Sequence, residues 1–159
     1  MKDVILSVLS EASPALNQLQ DDWCIIGASA LVLSGIANQK TQDIDVLLSS
    51  RDALYLKEVW RDRRINNYQP LQGDLFRSTF SRFDFGAMDI EAMGDLEVNR
   101  NGTWMPVKIN AFNTIAIEGL TIKIPTLEEQ IRVFKMLGRD KDLNKVRLIE
   151  RSGLINASR

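Results

Sequence analysis

With 159 residues, 45% of them apolar and 26% charged, the chain is long enough to bury one sizeable core and far from the composition of a disordered segment. A formal net charge of -1 advertises neither a nucleic-acid nor a membrane surface. Histidine is absent and Cys24 is the single cysteine, which excludes a disulfide framework, a histidine-based zinc site, a Ser-His triad and an imidazole base; any catalysis must run on carboxylates, lysines, hydroxyls and oxygen-bound metals.

The first residues, MKDVILSVLSEAS, carry acids too early for a signal peptide, and no apolar run reaches membrane-spanning length, so the cytoplasm is the simplest location. Neither a repeat nor a low-complexity linker interrupts the chain, and residues 1–159 are expected to form one domain with its C-terminal helices starting near 126. Val4, Ile5, Val8, Leu9 and Ala12 have the spacing of one helix face. Ser13-Pro14 reads as an N-cap followed by a first-turn proline, opening a second short helix with Leu16 and Leu19. WCIIG reads as a short buried strand in which Cys24 is a small core residue rather than a reactive thiol. It runs into ASALVLSG, a small-residue helix that Gly35 can stop.

After the loop IANQKTQ comes the strand DIDVLL. Ser49 or Ser50 can cap the next helix, whose Ala53, Leu56, Val59 and Trp60 are expected to share a buried face while Arg61 to Arg64 stay wet. Residues Asn66 to Asp74 read as loop. Two alternating segments follow, around STFSRFDF and AMDIEAM, with a turn expected at Gly94-Asp95. Asn101-Gly102 is a hairpin signal between LEV and TWMPVKI, and TIAIEG and LTIKIP complete a strand-rich middle. Thr126-Leu127-Glu128-Glu129 is a capping box opening a helix that carries Leu127, Ile131, Phe134 and Leu137 inward and ends at Gly138; a last helix spans 140–150. The order predicts an α+β, or mixed α/β, fold with a mixed sheet covered on one side.

Aspartate is depleted in strands, yet Asp43 and Asp45 head the apolar run of DIDVLL. Alternation puts both on one face while Ile44, Val46 and Leu48 enter the core. Two neighbouring carboxylates raise one another's pKa unless a cation lies between them, and Mg²⁺, with its preference for oxygen ligands, meets that need. The plainer reading is an edge strand that wets one face. Upstream, IIGASALVLSG turns through glycine into a helix, which presents backbone N–H groups and a positive dipole end to phosphate, with Ser29 in the first turn.

These residues carry a resemblance. The run GASALVLSG…TQDIDVLL resembles the signature of the nucleotidyltransferase superfamily with the DNA polymerase β fold, particularly its small bacterial branch. IPTLEEQIRVFKMLGRDKDL is similar to the GR-x-KDL tail of its stand-alone and toxin–antitoxin-associated members, and the two segments bracket residues 23–145. Gly27-Ala28-Ser29 departs from the usual Gly-Gly or Gly-Ser: either Ala28 fills the small position or the motif slides onto Ala28-Ser29.

The resemblance implies a polymerase β-like fold and transfer of a nucleoside monophosphate from an NTP to an acceptor hydroxyl on a small molecule, protein or RNA. It implies two Mg²⁺ ions on Asp43, Asp45 and a third acid. AMDIEAM offers Asp89 and Glu91 for that place. Glu91 is favoured, because the family strand often runs from the acid into a small turn, as Glu91-Ala92-Met93-Gly94 reads here; Asp89 is the reserve. Either one would also serve as proton acceptor. Gly27, Ala28 and Ser29 would cradle the triphosphate. Lys141 would face it or steady the acids, although a helix-end lysine paired with Asp140 or Asp142 is the plainer reading. Lys135 is a weaker candidate, and Arg61, Arg63 and Arg64 form a basic helix end that could guide a nucleotide or RNA. Partners implied are the NTP, the acceptor and a toxin–antitoxin partner protein, with no membrane. Acceptor choice is expected to reside in loops such as Asn66 to Asp74. Two rival expectations stand beside this one: a catalytically inactive member acting as a binding or antitoxin-like protein, and an unrelated interaction domain with an incidental D-x-D.

Overall fold

The first helix, α1 (Lys2–Leu16), buries Ile5, Val8, Leu9, Ala12, Ala15 and Leu16 along one side in the structure, a computed structural model that describes residues 1–37, 39–68 and 73–155. The expected break at Ser13-Pro14 is absent: one helix runs through Pro14. An interior proline removes a backbone bond and crowds the carbonyl four residues back, at a cost of about 3 kcal/mol. Ala15 and Leu16 lie beyond it in the core, and the Asn17 N–H still reaches Ser13 O at 2.9 Å, so burial carries the helix on.

Next come β1 (Cys24–Ile26), α2 (Gly27–Leu33), β2 (Asp43–Leu48) and α3 (Ser50–Val59). Ser49 caps α3 by accepting the Asp52 N–H. Ala53, Leu56 and Trp60 are buried as expected, but Val59 is 47% exposed. At 3.6 residues per turn Val59 lies roughly 90° around from the centre of that stripe. A 3₁₀ turn, Arg61–Arg63, leads to β3 (Phe76–Asp84), β4 (Asp89–Arg100), β5 (Thr103–Pro106), β6 (Phe112–Ile117), β7 (Leu120–Pro125), α4 (Leu127–Leu137) and α5 (Asp140–Arg151). Thr126 caps α4 through the Glu129 N–H, and Gly138, at φ 72°, ends it.

The main sheet has the order β1-β2-β4-β3, with β2 and β4 parallel and the other pairings antiparallel; β5 pairs with the far end of β4, and β6 and β7 form a separate hairpin. No turn interrupts β4 at Gly94-Asp95. Gly94 pairs with both Leu48 and Thr79, and the strand continues to Arg100 before the Asn101-Gly102 turn. Gly and Asp are turn formers by propensity, but hydrogen-bonded neighbours on both sides hold the strand. What the pair produces is a bulge: Asp95 takes φ 50° and the register against β3 slips between Arg77 and Thr79. Gly94 admits no side chain, since a Cβ there would stand 2.9 Å from Ser50 Cα and Ala53 Cβ.

The bulge has a large consequence for the core. Before it, Ile90 and Ala92 face the cluster built with α1 and α3; after it, Leu96 and Val98 belong to a second cluster with Phe134, Leu137, Val146 and Ile149 of α4 and α5. One extra residue moves the apolar positions to the opposite face. The sheet is therefore covered on both faces, not on one. The face that carries the acids of β2 and β4 at one end carries the α4–α5 platform at the other. Among the described residues no helix is long and apolar enough to cross a membrane.

Candidate active site

The parallel register of β2 and β4 sets Asp43 opposite Asp89 and Asp45 opposite Glu91. Ile44, Val46, Ile90 and Ala92 point to the α1–α3 core, so the four acids share the other face. Asp43, Asp45 and Glu91 each offer a carboxylate oxygen, and the three oxygens lie within 4.8 Å of one another. Asp89 is outside that group. Burial first, then the charges of Glu91 and Asp43, holds the Asp45 carboxyl well above the ordinary carboxylate range. Burial and the Asp43 charge also raise Glu91, against the opposing pull of Arg82. Asp45 Oδ1 is shut off from solvent and has no hydrogen-bond partner among the described residues.

Gly27 begins α2 beside this cluster. It has φ 71°, and a Cβ on it would lie 2.6 Å from Asp45 Oδ2. Both the backbone angle and the close approach require glycine. Gly27 and Ala28 line a cavity of about 1460 Å³ whose wall also includes Asp43, Asp45, Glu91 and Lys141. Ser29 has a different place from the one expected. It is buried, its hydroxyl donates to Asp43 O at 2.9 Å, and it ties α2 to β2 rather than facing the cavity.

Three residues escaped the sequence reading. Arg82 of β3 lies against the acids: Nε donates to Asp89 Oδ2 at 2.9 Å, while Nη1 donates to Glu91 Oε1 and, at 3.4 Å, to Asp43 Oδ2. Its guanidinium lies 4.6 Å from the centre of the Tyr68 ring, the second residue. The third is Lys145, four positions after Lys141 on α5, which also lines the cavity. Burial pulls its pKa down, the Asp142 carboxylate opposes that, and Asp45 adds to the opposition. A single arginine in the alternating segment STFSRFDF, on the strand that pairs with AMDIEAM, was the available signal for Arg82. For Lys145 the signal was its helical spacing from Lys141.

The remaining candidates are more peripheral. Lys135 is exposed and does not line the cavity. Arg61 pairs with Glu58 and Arg63 with Glu11, while Arg64 reaches the cavity wall. Of the loop Asn66 to Asp74, residues 69–72 lie outside the described residues, and Asn66, Tyr68 and Gly73 line the cavity.

By sequence, no family model and no curated protein matches the chain. Solved structures do resemble it. TM1012 from Thermotoga maritima, provisionally described as a nucleotidyltransferase, superposes with a TM-score of 0.72 at 21% identity over 93% of each chain. The fold is that of the nucleotidyltransferases. Two more distant structures share it: the antibiotic-resistance factor ANT(2'')-Ia, with a TM-score of 0.54 at 12% identity over 96% of this chain and 85% of its own, and the lincosamide antibiotic adenylyltransferase LnuA, with 0.50 at 12% over 92% of each. The α+β class with a mixed sheet flanked by helices, expected from the sequence, is the class of this nucleotidyltransferase fold.

Proposed function

We propose that the chain is a metal-dependent nucleotidyltransferase that moves a nucleoside monophosphate from an NTP to an acceptor hydroxyl. One observation carries this reading: in a protein with the nucleotidyltransferase fold, Asp45 Oδ1 is buried beside two further carboxylates, with no partner among the described residues. Arg82 offsets the charge of Asp43 and Glu91 but does not bond Asp45, and the cluster's donors are all hard oxygens, which suit Mg²⁺. Asp43, Asp45 and Glu91 would hold the metal. When bound, divalent cations neutralise charge developing on the transferred phosphoryl group and favour deprotonation of the acceptor hydroxyl.

The chain's own residues supply the rest. The β2–β4 register keeps the three acids on one face, and Ser29 holds α2 against Asp43 so that Gly27 stays beside Asp45. The backbone at Gly27-Ala28 forms the near wall for the triphosphate, with Lys145 and Lys141 as the cations facing it from α5. With no histidine in the chain, the acceptor proton passes to a carboxylate, a role we give to Glu91. The acceptor belongs to the range used by this fold, a small molecule, a protein or an RNA. The two antibiotic-related structures make small hydroxylated compounds the first acceptors to screen. A toxin–antitoxin partner belongs to the same reading.

The test is label transfer from each α-³²P NTP with Mg²⁺, beside equilibrium binding of the nucleotide. Asp43→Asn is expected to keep the fold, seen by circular dichroism, and to lower transfer at least about a hundredfold, the upper end of what losing even a supporting residue of a metal site costs. Absence of any Mg²⁺-dependent NTP binding by the wild-type protein overturns the reading.

A further inference from the structure

Four acids line one face of β2 and β4, but only three group their oxygens. The fourth, Asp89, has a different neighbour in Arg82. That arginine is 14% exposed and divides its donors unequally. Nη1 lies on Glu91 and Asp43, two members of the three-acid group, whereas Nε bonds Asp89, outside it. The guanidinium thus occupies the side of the cluster from which a cation would take its oxygens from Asp43 and Glu91. The Tyr68 ring lies against it, and the strand pairing Arg82↔Glu91 holds its backbone in place.

We infer that Arg82 is a resident counter-cation of the three-carboxylate site, which a metal ion must displace from Asp43 and Glu91, and that Asp89 retains the displaced arginine at the rim. The inference rests on the metal-binding reading above and deepens it. Without such a group, three clustered carboxylates at least partly withdrawn from water would repel one another and open the site. With it, the metal-free protein stays in order, but every loading event competes with a guanidinium. Arg82 is in this sense a positioning residue that sets metal affinity. Asp89 explains itself: an acid too far from the group to join it, but bonded to the other end of the same side chain. Nε–H and Nη1 lie on different edges of one rigid planar guanidinium, so a pivot about the Nε–Asp89 bond swings Nη1 off Glu91.

Mn²⁺ titrated into the nucleotide-free protein, with free ion followed by electron paramagnetic resonance, tests this without reference to activity. Arg82→Gln is expected to bind Mn²⁺ about tenfold or more tightly than wild type, because a charged competitor is gone. Asp89→Asn is expected to bind more weakly than wild type, since Arg82 loses the acid that draws it aside. Arg82→Lys, which keeps the charge but loses the fork, should fall between wild type and Arg82→Gln, and it serves as the reporter if the glutamine variant does not fold. Wild-type binding with no gain in either Arg82 variant, or a gain in Asp89→Asn, overturns the role of Arg82 and leaves the metal site standing. No Mn²⁺ binding by any of the proteins at millimolar concentration overturns both.

Discussion

Asp45 and Asp52 lie on consecutive elements, and each turns carboxylate oxygen away from water, yet their surroundings are opposite. Asp52, 2% exposed, accepts the Gln20 and Asp21 backbone N–H groups, both at 2.9 Å. Asp142, fully buried at the start of α5, is likewise satisfied by the Arg139 backbone and side chain. Asp45 has a buried oxygen that no donor among the described residues reaches, and two acids for neighbours. Buried polar groups cost free energy unless they are bonded, and a protein interior leaves few of them unbonded. Asp52 and Asp142 are acids the fold uses for itself, one joining the 20–21 turn to α3 and the other starting a helix. Among the described residues no donor serves the buried Asp45 oxygen, and the Arg82 guanidinium bonds Asp43, Asp89 and Glu91 instead.

That contrast predicts opposite responses to removing charge. Asp45→Asn should show the largest effect on function, lowering transfer at least about a hundredfold, as for loss of a metal ligand. It should at the same time leave the metal-free protein as stable as wild type or more so. Relieving about 1 kcal/mol of repulsion corresponds to a Tm gain of roughly 2–4 °C at this chain length. Mg²⁺ should raise the Tm of wild type but not of the variant, because only a protein that binds the ion gains stability from it. A metal-free Asp45→Asn protein clearly less stable than wild type would show that this carboxylate is structural after all, and the comparison with Asp52 would fail.

Asp52→Ala should behave in the reverse way. Two backbone N–H groups lose their acceptor, which costs about 1–3 kcal/mol when such groups are left unsatisfied. The urea midpoint should fall, while transfer per folded molecule is unchanged because Asp52 faces the 20–21 turn and not the cavity. Equal losses of stability and of transfer per folded molecule would break the distinction from the other side.

How far the sequence shows this division depends on where the information sits. The strands DIDVLL and AMDIEAM are legible because one face of each is apolar and the other acidic, a period-2 signal that survives any tertiary detail. Thr126 and Gly138 bound α4 by local chemistry, which is why its ends read correctly. Only half of the expected capping box forms, however: the Glu129 carboxylate accepts from Asn110 and Arg132, and the Thr126 N–H goes to Ala111 O. Pro14 and Gly94-Asp95 mislead for one shared reason. Local preference asks for a break at each, and packing or pairing on both sides overrides it. Ser29 reads as a ligand for an anion, but its proton goes to Asp43 O, a neighbour fourteen positions away that no local pattern reveals. Arg82 escapes for a similar reason. Its three acids come from two other strands, and only the registers Arg82↔Glu91 and Asp43↔Asp89 bring them together.

A buried thiol completes the comparison. Cys24, in β1, is enclosed by apolar neighbours, and burial pushes its thiol from the usual 9.0 up to about 12. Here the fold neither supplies donors, as for Asp52, nor sets the group among other acids beside a cavity, as for Asp45; it keeps the group neutral. The sign of the pH dependence follows. Above pH 9 the unfolded chain gives up the thiol proton while the folded protein retains it until about 12, so the folded state binds more protons and loses stability as pH rises. At pH 10 the loss amounts to about 1.4 kcal/mol, one unit of pH above the unfolded value. Other groups titrate in the same range, so the informative quantity is a difference. Urea midpoints at pH 8 and pH 10 should fall further for wild type than for Cys24→Ala, even though the alanine variant starts lower because it leaves a small void. Parallel slopes for the two proteins would mean that the Cys24 thiolate is tolerated in the folded state, and that β1 is wetter than its packing against the core implies.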